Sequence, residues 1–301
     1  MRFTGRIRVA VIIPTYRRRD SLLMAVRSVL NQSFGELECH VVDDASGDDS
    51  LSVLEEVDDD RLRVHRLESN RGPAAARNYG VCHSVSEVVA FLDSDDRWLP
   101  TKLESVFSAM EGVERSSRWV CAHPYARGGE RSGKGVQRLE TIGDIGEHLF
   151  YELRTFQTST WVVSRACFEA QQFNPDWSRH EDWDLLLQWQ HSGVRFFYVD
   201  QPLTVRSFGS ADRLGFSRDS EVSRHFLEHH SPGLGARARA GFRGHILAAK
   251  HWLAGERRKA LRVGLGCWRE EGLGWREGLH LFFHMARANG RRVCSRIRFP
   301  N

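Results

Sequence analysis

The stretch Val88-Val89-Ala90-Phe91-Leu92-Asp93-Ser94-Asp95-Asp96 decides the fold. An apolar run of strand length passes straight into a cluster of acids. Such a run reads as a strand buried on both faces. Its far end then opens into the crevice where open α/β sheets bind ligands. Carboxylates gathered there repel one another unless a positive charge joins them, and a hard divalent cation bound through oxygen is the natural partner. The stretch therefore predicts a metal-dependent nucleotide site at a sheet edge.

The pattern recurs on either side. Upstream, Arg8 to Pro14 reads as a first buried strand, followed by a polar loop from Thr15 to Arg19. Asp20 is placed to cap a helix from Ser21 to about Asn31, with Leu22, Leu23, Val26, Val29 and Leu30 on its inner face. Glu38 to Val42 is a second strand, and it too ends on acids, Asp43 and Asp44. A helix over Leu51 to Val57 and a short strand over Arg63 to Leu67 follow. Asn70-Arg71-Gly72-Pro73 turns into a helix over Ala74 to His83. Beyond the acids, Pro100 suits the first turn of a helix reaching Met110. Alternating strand and helix predict an α/β domain with a mostly parallel sheet.

After Met110 the rhythm changes. Trp119 to Ala122, Thr160 to Val163, Arg195 to Val199 and Leu203 to Arg206 read as strands. Ser164 opens one helix and Glu181 to His191 forms another, ended by Gly193. Gly128 to Gly135 is a Gly-rich charged loop, placed either to close as a lid or to make a passive excursion. From about Gly215 only helices are expected: Ser217 to His230, Ala236 to Ala254, Glu256 to Arg269 and Trp275 to Ala288. The expected division is a catalytic domain over 1–214 and a basic helical region over 215–301.

Composition narrows the class. At 301 residues, 41% hydrophobic and 27% charged, the chain is ordinary for a globular protein. The N-terminus is too short and charged for a secretory signal, and no long uncharged apolar window suggests a membrane span. The 6 cysteines are scattered without a CxxC pair, which favours a reducing compartment over a zinc site or disulfide framework. The net charge of +4 conceals an asymmetry: Ala236 to Asn301 carries 15 Arg or Lys against 4 Glu, net +11, leaving −7 for the remainder.

Loops at one sheet edge converge, so Thr15-Tyr16-Arg17, Asp43-Asp44 and Asp93-Ser94-Asp95 are expected to meet. Together they suit a nucleotide diphosphate. An acid accepts from a base N–H or ribose hydroxyl, a metal bridges an acid to the diphosphate, and Arg17 or Arg71 meets phosphate or base oxygens. The blander alternative is that strand-end acids start turns or cap helices. Arg77 lies one turn into a helix that its alanines would pack tightly on the sheet, and on that reading it is a solvated arginine. Glu181-Asp182-Trp183-Asp184 opens a helix, where acids complement the dipole. A carboxylate there, beside a bound sugar, is also placed to act as a general base.

Taken in order, Val11-Ile12-Ile13-Pro14-Thr15-Tyr16, Val41-Val42-Asp43-Asp44-Ala45-Ser46, Asn70-Arg71-Gly72 with Ala76-Arg77-Asn78, Phe91-Leu92-Asp93-Ser94-Asp95-Asp96 and Glu181-Asp182-Trp183-Asp184 resemble the motifs of family 2 glycosyltransferases over about residues 8–210. The resemblance implies the Rossmann-like GT-A fold, here with a C-terminal helical subdomain. It implies an inverting transferase that uses a nucleotide-diphosphate sugar, UDP-sugar favoured, and Mg²⁺ or Mn²⁺. It places Pro14, Thr15, Tyr16 and Arg17 in the nucleotide pocket with Ser94, and Asp43 or Asp44 against the base. It sends Arg77 to base or phosphate, Asp93 to ribose and metal, and Asp95 to the metal. Asp182 becomes the catalytic base, supported by Glu181. Many relatives carry a His shortly after the last strand arginine, whereas Arg206-Ser207-Phe208-Gly209-Ser210 has none, which leaves that task to Arg206 or to no residue.

The expected partners are a nucleotide-sugar donor and a saccharide or lipid-linked acceptor, in cell-surface polysaccharide or glycolipid synthesis. Trp275, Leu279, Leu281, Phe282, Phe283 and Met285, followed by Arg287, Arg291, Arg292, Arg296 and Arg298, suit peripheral contact with an anionic membrane. The same residues also suit a packed helical subdomain with a solvated arginine face. Nucleic acid is not expected. The expected location is cytoplasmic, at the inner face of the membrane. Two rivals stand beside this reading, an inactive nucleotide-sugar scaffold and a sugar-phosphate nucleotidyltransferase. Pro14-Thr15-Tyr16-Arg17 lacks the Gly-rich loop that the latter needs.

Overall fold

The computed structural model describes residues 8–114, 117–127, 138–207 and 220–274. The Gly128–Gly135 loop, the residues Phe208 to Ser210 and the aromatic and basic tail from Trp275 lie outside these. The chain divides into two compact units, one formed by 1–143 with 155–210 and the other by 144–154 with 211–301.

The first unit is built on an 8-stranded sheet. Its strands are β1 (Val9–Thr15), β2 (Leu37–Asp43), β3 (Leu62–Arg66), β4 (Val88–Phe91), β6 (Trp119–Ala122), β8 (Leu139–Ile142), β9 (Val162–Ser164) and β10 (Arg195–Val199), in the order β3-β2-β1-β4-β9-β6-β10-β8. The first four run parallel, as do β6 and β10. Strand β9 is reversed between β4 and β6, and β8 is reversed at the edge. A smaller sheet joins β5 (Arg97–Trp98), β11 (Thr204–Arg206) and β7 (Tyr125–Arg127) in that order.

Strand β1 is buried at every position, as its Val/Ile content requires of a strand with neighbours on both sides. Pro14 fits there for a specific reason. The Ile12 carbonyl faces β4 and accepts from Leu92 N–H, while the Thr15 carbonyl faces β2 and accepts from Asp44 N–H. Alternation puts Pro14 on the β4 side, where pairing has already ended at Ile12, so its missing N–H costs no ladder bond.

Helices α1 (Arg19–Leu30), α2 (Gly72–Cys82), α3 (Lys102–Ala109), α4 (Ala166–Ala170) and α5 (Glu181–His191) complete the unit. Close approach of α2 to the sheet depends on Gly80, where an added Cβ would lie 2.5 Å from Ile12 Cγ2. Several sequence expectations are corrected. Asp20 lies inside the first turn of α1 and caps nothing, since the chain turns at Arg18. Leu51 to Val57 keeps only a 3₁₀ turn, Ser52–Leu54. Pro100 precedes α3, which starts after Thr101 because Arg97–Trp98 is held as a strand against β11. Strands β5, β7 and β8 are additional to those expected.

In the second unit, 236–253 is one helical run: α7 (Ala236–Gly241), a wider π-type turn over Phe242–Leu247, and α8 (Ala248–Leu253). It follows α6 (Glu221–His230) and precedes α9 (Arg257–Glu270). A Cβ at Gly241 would be driven into the Phe150 carbonyl, so the run packs backbone-close on the turn at Glu147–Tyr151. Phe150 stacks edge-on to Phe242 at 5.0 Å, and Ala240 and Cys267 centre a small core. Among the described residues no helix is long and apolar enough to cross a membrane, and no cysteine is paired.

Candidate active site

The loops after β1, β2 and β4 are stitched together by short polar side chains. Ser46 accepts the Arg17 N–H on Oγ at 2.9 Å, accepts Arg17 Nε on its carbonyl at 3.2 Å, and donates its hydroxyl to Asp43. Asp43, fully buried, also receives Arg66 Nε at 3.0 Å. Asp44 turns both oxygens to the start of α2, accepting from the N–H groups of Arg71 and Gly72 at 2.8 Å each. It is the cap that the N-terminus of α2 does not carry itself. Arg17 and Ala45 hold left-handed backbone, at φ 51° and 57°, on either side of this junction. Tyr16 is exposed with the Arg17 guanidinium 5.1 Å from its ring centre, and Thr15 Oγ1 is buried without a hydrogen-bond partner.

At the end of β4, Asp93, Asp95 and Asp96 offer carboxylate oxygens that all lie within 4.8 Å of one another. Ser94 is buried between them in sequence. Asp96 does not cap α3; it is a buried member of the acid cluster. Burial first, then the charges of Asp93 and Asp95, push its carboxyl up to about 6. An all-oxygen donor set with this excess of negative charge fits Mg²⁺ or Mn²⁺ and does not suit a thiolate- or imidazole-seeking ion.

Arg77 is buried, not solvated. Its Nη2 donates to Asp93 at 2.8 Å and its Nη1 to Glu181 at 3.1 Å, over the ring of Phe173 at 5.3 Å. The blander reading of Arg77 fails because its charge is buried and met by two carboxylates, from the loop after β4 and from the start of α5. Its Nε stays buried and unpartnered. One guanidinium thus joins the loop after β4 to the start of α5.

Helix α5 begins abruptly. His180 takes φ 69°, stacks its ring on Trp183 at 4.4 Å, and leaves Glu181 and Asp182 at the first turn. Asp182 Oδ1 accepts from Trp183 N–H at 2.9 Å. Its carboxyl is pushed up to about 7, by burial first and Glu181 second, against the opposing pull of the Trp183 N–H and Arg77. A carboxylate poised near neutrality beside a ligand crevice has the proton affinity that general-base work needs.

The loop and turn before β9 add residues that sequence reasoning did not single out. Gln157 Nε2 donates to Asp93 at 3.2 Å and to Asp96 at 3.4 Å. Ser159 Oγ accepts from Asp93 N–H at 3.0 Å and donates to Asp96 at 2.8 Å. Ser207 N–H closes on the other oxygen of Asp96 at 3.1 Å. Arg206 lies on β11 with its guanidinium 5.3 Å from the ring centre of Tyr125.

A Rossmann-like sheet with acids at its parallel strand ends, and a carboxylate pair at the start of α5 tied to them through Arg77, makes a candidate active site of an α/β enzyme. The sequence profile of glycosyl transferase family 2 matches residues 10–173, and the chain belongs to that family. It is 30% identical over 218 residues to the amylovoran biosynthesis glycosyltransferase AmsB of Erwinia amylovora, covering 68% of this chain and 72% of that protein. Over 110 residues, 36% of this chain and 43% of the relative, it is 43% identical to the putative teichuronic acid biosynthesis glycosyltransferase TuaG of Bacillus subtilis. Over 103 residues, 34% and 41% of the two chains, it is 33% identical to the UDP-Glc:alpha-D-GlcNAc-diphosphoundecaprenol beta-1,3-glucosyltransferase WfaP of Escherichia coli. Among solved structures, S. aureus TarS 1-349 in complex with UDP-GlcNAc aligns with TM-score 0.63 at 20% identity, over 90% of this chain and 83% of that one. The mannosyltransferase PcManGT from Pyrobaculum calidifontis, in complex with GDP-Man and Mn2+, aligns with TM-score 0.53 at 18% identity, over 99% and 78%. The fold is that of GT-A enzymes, a central sheet flanked by helices with further helices C-terminal to it.

Proposed function

We propose that the protein transfers a sugar from a nucleotide-diphosphate sugar, UDP-sugar favoured, to a hydroxyl of a saccharide or lipid-linked acceptor, with inversion at the anomeric carbon. One observation carries this reading: Asp182, a carboxyl held near neutrality, is tied through Glu181 and Arg77 to the acid that ends β4. Pro14, Thr15, Tyr16 and Arg17 line the base and ribose side, and the unpartnered Thr15 hydroxyl supports that role. Asp43 and Asp44 build the wall of this pocket, and whichever meets the base does so with lone pairs left over from Ser46 and Arg66 or from the α2 N–H groups. Asp93 faces ribose, with Ser94 behind it. Asp95 with Asp93 would hold a divalent ion, which supplies Lewis-acid neutralisation of the leaving diphosphate when bound. Asp182 takes the acceptor proton, Glu181 orients the acceptor, and displacement needs no covalent intermediate. Much of the rate comes from holding donor and acceptor in line.

The reaction is assigned within residues 1–214, and acceptor or membrane contact to the basic 215–301 region. The names of AmsB, TuaG and WfaP support surface polysaccharide or lipid-linked glycan synthesis, and we assign that synthesis to the cytoplasmic face of the membrane. The test is transfer and hydrolysis with UDP-, GDP- and dTDP-sugars, with and without Mn²⁺. Metal-stimulated release of UDP is expected. Binding without turnover would leave a sensor, and release of pyrophosphate a nucleotidyltransferase.

A further inference from the structure

Gln157 stands among the acids that end β4 and has no place in the reaction just described. Its Nε2 bridges one oxygen of Asp93 and one of Asp96, a neutral donor set between two carboxylates. Its Oε1 is buried and has no partner. Leaving a buried amide oxygen unbonded costs about 1–3 kcal/mol, so a cation or donor reaching that oxygen would stabilise the site.

The surrounding chain confines any change to the side chain. The Gln157 carbonyl accepts from Thr160 N–H at 2.8 Å and from Thr160 Oγ1 at 2.6 Å. Ser159, fully buried, is anchored through its carbonyl by Trp98 Nε1 at 2.9 Å, Lys102 Nζ at 3.0 Å and Thr204 Oγ1 at 3.2 Å. Its hydroxyl is committed to the Asp93 N–H and to Asp96. The backbone at Gln157 is thereby pinned to β5, α3 and β11, and only the amide is left to turn.

We propose that Gln157 is a cation-responsive positioning residue and ligand. Without a divalent ion its Nε2 holds Asp93 and Asp96 together. When the ion sits at the acids, the amide turns about its terminal bond, withdraws Nε2 and offers Oε1 as a further hard oxygen. This rests on the metal reading above but on no step of sugar transfer. It also accounts for a glutamine here in place of a fourth acid: a carboxylate would repel Asp93, Asp95 and Asp96 until the ion arrived.

The experiment measures Mn²⁺ binding to the full chain with UDP alone, by the electron paramagnetic resonance of free Mn²⁺, and melting in chelator. Gln157→Met, similar in length and without an amide, is expected to bind Mn²⁺ about ten-fold more weakly. Gln157→Glu is expected to bind about ten-fold more tightly and to melt lower than the unsubstituted protein in chelator. If Gln157→Met does not fold, Gln157→Asn, one methylene too short to span both acids, replaces it with the same expectation. Unchanged Mn²⁺ affinity in the Met or Asn variant overturns the proposal, as does weaker binding by Gln157→Glu or no Mn²⁺ binding by the unsubstituted protein. Because no sugar is present, failure of transfer in the unsubstituted protein would sink the proposed reaction alone.

Discussion

Replacing Asp182 with Asn separates chemistry from stability in opposite directions. The carboxyl titrates near 7 in the folded chain, against an ordinary value of 3.8. Ionising it is therefore harder in the folded than in the unfolded state. The sign follows: below about pH 4 both states are protonated and nothing is lost, the penalty grows between about 4 and 7, and it is constant above. The full displacement is worth about 4 kcal/mol, an upper bound because Glu181 shares the charge. Asn cannot ionise, yet its Oδ1 still accepts the Trp183 N–H. Asp182→Asn is expected to stabilise the protein by about 2 kcal/mol near pH 8, raising its melting temperature by about 3 °C, with little change near pH 4. Transfer is expected to fall by about 10²–10⁴-fold while UDP binding stays unchanged. Thermal melts of both proteins across pH, beside turnover and UDP titration, check this. A melting difference independent of pH, or an Asn variant less stable near pH 8, would refute the burial argument; near-normal turnover would refute the base.

Other perturbations test neighbouring parts of the site. In the unsubstituted enzyme kcat/KM is expected to rise with pH along a limb near 7, read from a pH–rate profile at saturating Mn²⁺. Arg77→Ala leaves Asp93 and Glu181 without their shared cation and should cost about 3 kcal/mol by denaturant titration, moving that limb upward. Asp44→Ala removes two acceptors from the α2 N-terminus and should cost about 1–3 kcal/mol, with loss of amide-exchange protection in the first turn of α2. Gly241→Ala forces a methyl into the Phe150 carbonyl and should cost about 1–3 kcal/mol, seen as a lower denaturation midpoint, with UDP binding intact. Chelation of divalent ions should abolish transfer, and Mn²⁺ should restore it.

The parallel half of the sheet is legible because each strand is an apolar run that stops on a polar cluster, and burial on both faces leaves no other reading of Val9 to Ile13 or Val88 to Leu92. The converging acids are legible for the same reason. What escapes is whatever depends on a strand's direction. Gln157 and Ser159 precede β9, and only because β9 runs backwards does its leading end reach the trailing ends of β1 and β4. Had β9 been parallel, the same residues would lie at the far edge of the sheet. The burial of Arg77 is not legible, because an arginine on a small-residue helix face reads as solvated until its carboxylate partners, 16 and 104 residues away, are brought to it. Strand β5 is only two residues long, too short for any period to show.

The guanidinium of Arg77 has a kinetic consequence. It pairs one acid at the end of β4 and one at the start of α5. A divalent ion held at Asp93 would compete for that carboxylate and leave Arg77 to lean on Glu181, which would ease ionisation of its neighbour Asp182. On the proposed reaction, an ion bound there would ready the base. Compulsory-order kinetics, donor before acceptor, is the expected signature in product-inhibition patterns. Reciprocity then requires ionisation of Asp182 to tighten binding of the divalent ion by the same factor that the ion eases that ionisation. Without the ion a smaller fraction of Asp182 would be ionised near pH 7, and an acceptor bound alone would lose its hydroxyl proton less readily.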